Sequence, residues 1–240
     1  MNANNKGIIR LFSEPNRLPI IDRAIYITEK QQAIGKYFDK NDWYLFDKTE
    51  IDIRNCEQVT RLLLKRIKKR IEQSTTLKNI SDDYIDRTAT VDGYYATKKL
   101  DNDASFRYTV GLMDEYNTTS SLIINNFYSL KDLNDFSGLR KFILFLAEIF
   151  QPYSIQVSES FFYRDLMDLA SEEYWFGWMT YFSKGIKIPE ISSDIKVEQL
   201  PNGDKLLITT AETFTSENPE HLRKAKLLVE LFRKNNVKMW

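Results

Sequence analysis

Between Cys56 and Glu72 the apolar residues Val59, Leu63, Ile67 and Ile71 recur at every fourth position, while Arg61, Lys65 and Lys69 fall on another face. That spacing predicts an amphipathic helix, with Asn55 as its N-cap. A looser version of the same period runs from Leu18 to Phe38, where Ile21, Ala24, Ile25, Thr28, Ile34 and Phe38 predict a second helix. Asp135 to Phe150 is strongly apolar and predicts a third helix, stopped by Pro152. The last helix opens on Asn218 as N-cap with Pro219 in the first helical position.

Between these segments the period shortens. Gly7–Ser13, Trp43–Phe46, Gly93–Lys99, 106–113, Ser120–Tyr128 and 153–158 read as strands, followed by a short helix over 161–170. An aromatic strand over 174–183 comes next, then strands near 195–200 and 204–211 joined by Pro201-Asn202-Gly203-Asp204. Residues 76–91, with Asp82, Asp83 and Asp86, have little period and predict a loop. Hairpins outnumber regular strand–helix alternation, which predicts an α+β fold of antiparallel strands and packed helices. No stretch rich in Pro, Gly or Ser divides the chain, so a single compact domain over residues 1–240 is expected.

The run YWFGWMTYFS at 174–183 poses the sharpest question. As a strand it places Tyr174, Phe176, Trp178 and Phe182 on one face and Trp175, Met179 and Tyr181 on the other. A base-stacking platform sits among basic residues, but Glu172 and Glu173 precede this run. Two apolar faces predict a core strand, with Gly177 allowing close approach of a neighbour.

Composition narrows the chemistry. Acidic and basic residues cancel at 34 each, so no basic field marks a nucleic-acid binder. One cysteine, Cys56, precludes an internal disulfide and fits a reducing compartment. The N-terminus lacks a signal-like apolar run, and a cytoplasmic location is expected. Eight glycines form neither GxGxxG nor GxxxxGK, so no phosphate cradle and no cofactor are expected. With one histidine, His221, read as a helix-surface residue, the chain offers no CxxC or HExxH zinc site and no ready histidine-based catalytic group. Asp101 and Asp103 read as a turn. The fragment Asp194-Ile195-Lys196 has the acid-x-Lys form of metal-dependent nucleases, and keeps open the alternative of a small hydrolase or nuclease using Asp194 and Lys196.

The second half resembles a known family, the immunity protein 52 group of bacterial polymorphic toxin systems. The resemblance rests on Tyr163-Arg164-Asp165-Leu166, on FGWMTYFS at 176–183, on Ile188-Pro189-Glu190, and on the segment LLITTAETFTSENPEHLRKAKLLVELFRKNNV, with its signature Phe214-Thr215-Ser216-Glu217-Asn218-Pro219-Glu220-His221. It is clearest over 153–237. It implies a non-enzymatic cytoplasmic antidote, without catalytic residues, metal or cofactor, whose partner is a cognate toxin. The toxins of such loci imply a restriction-endonuclease-like nuclease.

A nuclease carries a basic surface for its phosphate-bearing substrate. Asp165, Asp168 and Glu172, spaced i, i+3 and i+7, would line one face of the helix expected from Phe161, and are the candidate toxin-binding residues. Asp82, Asp83 and Asp86 form a competing acidic cluster.

Overall fold

A computed structural model describes residues 7–14, 18–45, 47–73, 91–98, 103–110, 120–130, 132–159 and 176–237. The architecture is α+β, with antiparallel strand pairing throughout the described register. The chain divides into two compact units: Glu14–Ile123, and Met1–Ser13 with Ile124–Trp240. The division falls inside a strand, Ser120–Asn125. The candidate ridge residues Asp165, Asp168 and Glu172, the expected 161–170 helix and the acids Asp82, Asp83 and Asp86 lie outside the described residues.

In the unit Glu14–Ile123, helix α1 (Ile20–Tyr37) and helix α2 (Cys56–Gln73) accompany strands β2 (Asp42–Tyr44), β3 (Glu50–Asp52), β4 (Val91–Ala96) and β5 (Ser105–Val110), ordered β3-β2-β4-β5. Asn55 caps α2 as its sequence predicts, its Oδ1 accepting the Gln58 N–H at 3.1 Å. The two helices meet through Thr60 and Thr28, whose hydroxyls lie 3.2 Å apart. Gly93 lets α1 approach β4 closely, since a Cβ there would sit 2.7 Å from Ile27 Cγ2. Tyr108 of β5 donates its hydroxyl to Gln31 Oε1 of α1 at 2.8 Å, so a buried polar pair also fixes the helix on the strands.

Helix α1 forms where the spacing predicts, and its apolar residues fall on two sides. Ala24, Ile27, Thr28, Gln31 and Ile34 are buried, but Ile21 and Ile25 are 52% and 39% exposed. The sequence pattern merged two apolar stripes into one. Strand β3 was not legible at all: three residues with Ile51 between acids are too short to show a period, and pairing with β2 makes the strand.

The other unit carries β1 (Gly7–Ser13), α3 (Phe136–Phe150), β7 (Ser154–Glu159), β8 (Met179–Phe182), β9 (Lys196–Gln199), β10 (Lys205–Ile208) and α4 (Pro219–Lys234), with β6 naming the dividing strand Ser120–Asn125. The strand order is β1-β7-β8-β10-β9. Register assigns the faces. Leu11, Ile155, Tyr181, Leu206 and Glu198 lie in one cross-sheet row, and the Arg140–Glu198 ion pair places α3 over that face. Phe182 and Leu207 point the opposite way and pack with Phe176, Ile195, Leu228, Val229 and Phe232, which places α4 on the second face. The strands are therefore sandwiched between helices, as a two-sided apolar pattern requires.

The described part of the aromatic run is core, while Tyr174 and Trp175 lie outside the described residues. Every residue from Phe176 to Phe182 is buried, Gly177 included. Among the described residues its strand is shorter than the pattern predicts: Met179–Phe182 pair, and Gly177–Trp178 form a bend. At Gly177 a Cβ would meet Ser158 Oγ at 2.4 Å and Val157 O at 2.6 Å. The Trp178 N–H still bonds to Val157 O at 2.8 Å, so glycine lets the bend press against β7 before pairing begins. The strand expected over Ser120–Tyr128 likewise stops at Asn125, where Asn126 turns left-handed at φ 53° and a 3-10 turn, Phe127–Ser129, follows.

Candidate functional site

The motif Phe214 to His221 sits at the entry to α4, and its residues bond one another and β7. Asn218 caps the helix, its Oδ1 accepting the Glu220 N–H at 2.9 Å, and Pro219 follows in the first turn where no N–H is needed. Thr215 Oγ1 accepts the Glu217 N–H at 3.2 Å. Glu159, buried at the end of β7, accepts both the N–H and the hydroxyl of Ser216 through Oε2, at 3.0 and 2.8 Å. The Tyr128 hydroxyl lies 3.5 Å from Phe214 O. Burial first, and the Glu159 charge second, push the Tyr128 phenol above its usual value.

His221 is not a surface residue, as its sequence position suggested. It is 5% exposed, stacked on Phe214 with ring centroids 5.6 Å apart and planes 20° apart. Its Nδ1 accepts the Thr215 N–H at 3.2 Å, and its Nε2 lies 3.3 Å from the Asn218 side-chain amide and 4.0 Å from the Glu212 carboxylate. The reason is the helix entry itself: the turn Thr215–Asn218 folds back over the first helical turn and covers the ring. A histidine used in this way, as an acceptor inside a turn, is a structural group.

A second polar centre closes the β9–β10 hairpin. Gly203, at φ 91°, occupies the left-handed position that such a loop needs. Asp204 is buried, and its Oδ2 accepts the Tyr181 hydroxyl at 2.5 Å and the Asn202 side-chain amide; Oδ1 accepts the Lys184 N–H at 2.8 Å. Burial, then the bond to Asp204, pushes the Tyr181 phenol well up, so it stays a donor. Beside this centre opens a groove of about 790 Å³ lined by Leu144, Glu148, Tyr181, Lys184, Leu200 and Asp204. With three donors on its carboxylate, Asp204 is committed to fixing the hairpin, and Glu148 is the other acid that lines the groove.

The acid-x-Lys fragment is not assembled as a metal site. Arg223 of α4 bonds Asp194 Oδ2 at 2.5 Å through Nη2 and reaches Glu220 at 2.8 Å through Nε and 2.9 Å through Nη2. A guanidinium thus stands between the two carboxylates, where a metal-dependent nuclease would put its cation. Asp194 is held below the usual carboxylate range, first by its bond from Ser192 and then by Arg223. Lys196 lies exposed on β9. Asp103 pairs with Lys98 at 3.5 Å, while Asp101 is outside the described residues. Among the described residues no group of three His, Cys, Asp or Glu side chains could hold a metal ion, and no helix is long and apolar enough to cross a membrane.

Sequence reasoning missed Glu159, Asp204 and Arg223. Each is a single charged residue with a partner far along the chain, Ser216 for Glu159, Tyr181 for Asp204 and Asp194 for Arg223, at 57, 23 and 29 positions. No local spacing announces such a pair.

Set against known proteins, the chain shares its fold with a Pseudomonas aeruginosa T6SS protein, PA0821. The TM-score is 0.50 at 9% identity, over 95% of this chain and 73% of that one. That likeness is one of fold alone. No curated protein matches the sequence significantly. Residues 137–236 match the family model described as Immunity protein 52, a span that runs from α3 to α4 and holds both polar centres. Over residues 137–236 the chain is thus a match to the Immunity protein 52 family, and the resemblance carried by its motifs holds there.

Proposed function

We propose that this chain is a cytoplasmic immunity protein that binds and neutralises a cognate toxin, and that the toxin is a restriction-endonuclease-like nuclease. The observation that carries the reading is the Immunity protein 52 match over 137–236. The fold shared with a protein titled as a T6SS protein is in keeping with toxin delivery between cells. The physical features of that segment agree with a binding scaffold. Its most distinctive motif, at 214–221, is a helix entry tied to β7, and its buried histidine and aspartate are spent on hydrogen bonds within the unit. Inhibition on this reading is stoichiometric, through complex formation rather than catalysis, and needs no metal or cofactor.

The acids Asp165, Asp168 and Glu172 remain the proposed steering residues, since opposite charge accelerates encounter with a basic enzyme surface. Co-expression of the chain with the toxin region of the adjacent gene tests the function. Growth rescue together with co-purification is expected. Rescue without a complex, or magnesium-dependent cleavage of nucleic acid by the chain alone that disappears in Asp194→Ala, would overturn it.

A further inference from the structure

Helix α1 is apolar on two sides. Its inward side buries Ala24, Ile27, Thr28, Gln31 and Ile34. Its outward side carries Ile21 and Ile25, one turn apart, in line with Leu18 just before the helix, and the three are 52%, 39% and 50% exposed. Leu18, Ile21 and Ile25 span about 10 Å at the helical rise. Scattered exposed aliphatics need no explanation, but these three share one line at spacings i, i+3 and i+7, the arrangement of helix anchors that enter a groove.

The charges beside the stripe select its occupant. Asp22 and Glu29 are exposed next to Ile21 and Ile25, at the i+4 positions from Leu18 and Ile25. No ion pair of Asp22 is seen among the described residues, and Glu29 interacts electrostatically with the neighbouring Lys30. The Lys30 ammonium also lies over the Tyr26 ring, 4.9 Å from the centroid, and Arg23, next to Asp22, is buried. A second copy of this chain packed on the stripe about a two-fold axis would bring Asp22 against Asp22, which is repulsive. Three side chains also cover far less than the roughly 800 Å² per partner of a stable interface, so they suit the centre of a larger contact. A partner that fits presents an aliphatic groove edged by lysine or arginine, with its basic rim continuous with the basic surface that a nuclease carries for phosphate.

We infer that the outer stripe of α1, Leu18, Ile21 and Ile25 flanked by Asp22 and Glu29, is a docking surface that enters a basic-edged apolar groove on the toxin. The inference rests on the proposed immunity function and deepens it. It assigns holding of the complex to α1, a part of the chain outside the family match, and leaves steering to separate acidic residues.

The probe is the toxin region encoded by the adjacent gene, in catalytically inactivated form, titrated by surface plasmon resonance with the full chain. Wild type, Ile21→Ser/Ile25→Ser and Asp22→Lys/Glu29→Lys are compared, with thermal melting and sedimentation of each. The stripe predicts unchanged melting for both variants. The isoleucine variant should bind at least about tenfold more weakly, mainly through faster dissociation, and the charge variant should also weaken through faster dissociation. Wild-type binding with wild-type constants in both folded variants would overturn the stripe while leaving the immunity function intact. A wild-type dimer that the isoleucine variant dissociates would overturn it in favour of self-association. Absence of wild-type binding would remove the immunity function, and the stripe's partner with it.

Discussion

The Thr215 N–H donates to Nδ1 of His221 across 3.2 Å, joining the turn before α4 to the first turn of the helix. The ring is buried and stacked on Phe214, so this acceptor has no water to replace it. His221→Ala should therefore cost about 2 kcal/mol, from the lost packing and an orphaned N–H. Chemical denaturation measures it. A folded variant that keeps full toxin binding would establish the structural role, whereas lost binding at unchanged stability would make His221 part of the interface.

Asp204 should matter more than any exposed acid in its unit. Asp204→Ala strands the Tyr181 hydroxyl, the Lys184 N–H and the Asn202 amide together, and about 3 kcal/mol of stability should be lost. Tyr181→Phe removes one of those bonds and should cost about 1 kcal/mol. A double-mutant cycle reads their coupling; additive losses would contradict a direct bond.

The aromatic run predicts its own test. Trp178 is fully buried, and Trp178→Ala should cost about 3–5 kcal/mol. Gly177→Ala should also destabilise, because its methyl group would press on Ser158 and the Val157 carbonyl. Unchanged melting of Trp178→Ala with loss of toxin binding would turn this residue from core into contact surface.

Much of this fold is legible in the sequence, and the failures have physical reasons. The helices with one apolar stripe, α2 and α3, and the Asn218–Pro219 start of α4 appear where spacing and capping residues put them, because those signals are local. In α1 two stripes share one period, so the spacing gives the helix but not the outward position of Ile21 and Ile25. The run at 176–182 reads correctly as buried, yet its strand starts late, since Gly177 bends against a neighbour that only the folded sheet supplies. Of the site, the 214–221 motif is legible as a family mark, but its chemistry is not: Glu159, which anchors Ser216, comes from a distant strand.

Acid should weaken the α3–β9 contact. Arg140 bonds Glu198 through Nε at 3.2 Å and through Nη2, and these bonds hold the Glu198 carboxyl below its usual range. A depressed carboxylate value contributes stability above the unfolded value, about pH 4.3, and loses it as pH falls through the lower folded value. Both side chains are partly exposed, so the contribution is about 1 kcal/mol or less. Stability measured from pH 6 to 3 should fall less steeply in Glu198→Gln than in wild type. Parallel curves would contradict the assignment.

The central claim is that the chain neutralises a toxin by binding it. Isothermal titration of the metal-free chain into the inactivated toxin region of the adjacent gene, with EDTA present, addresses that claim most directly. The account predicts a saturable complex of defined stoichiometry, retained in Asp194→Ala, with an affinity that matches the dose of chain needed to rescue growth. No heat and no complex at concentrations that rescue growth would contradict it.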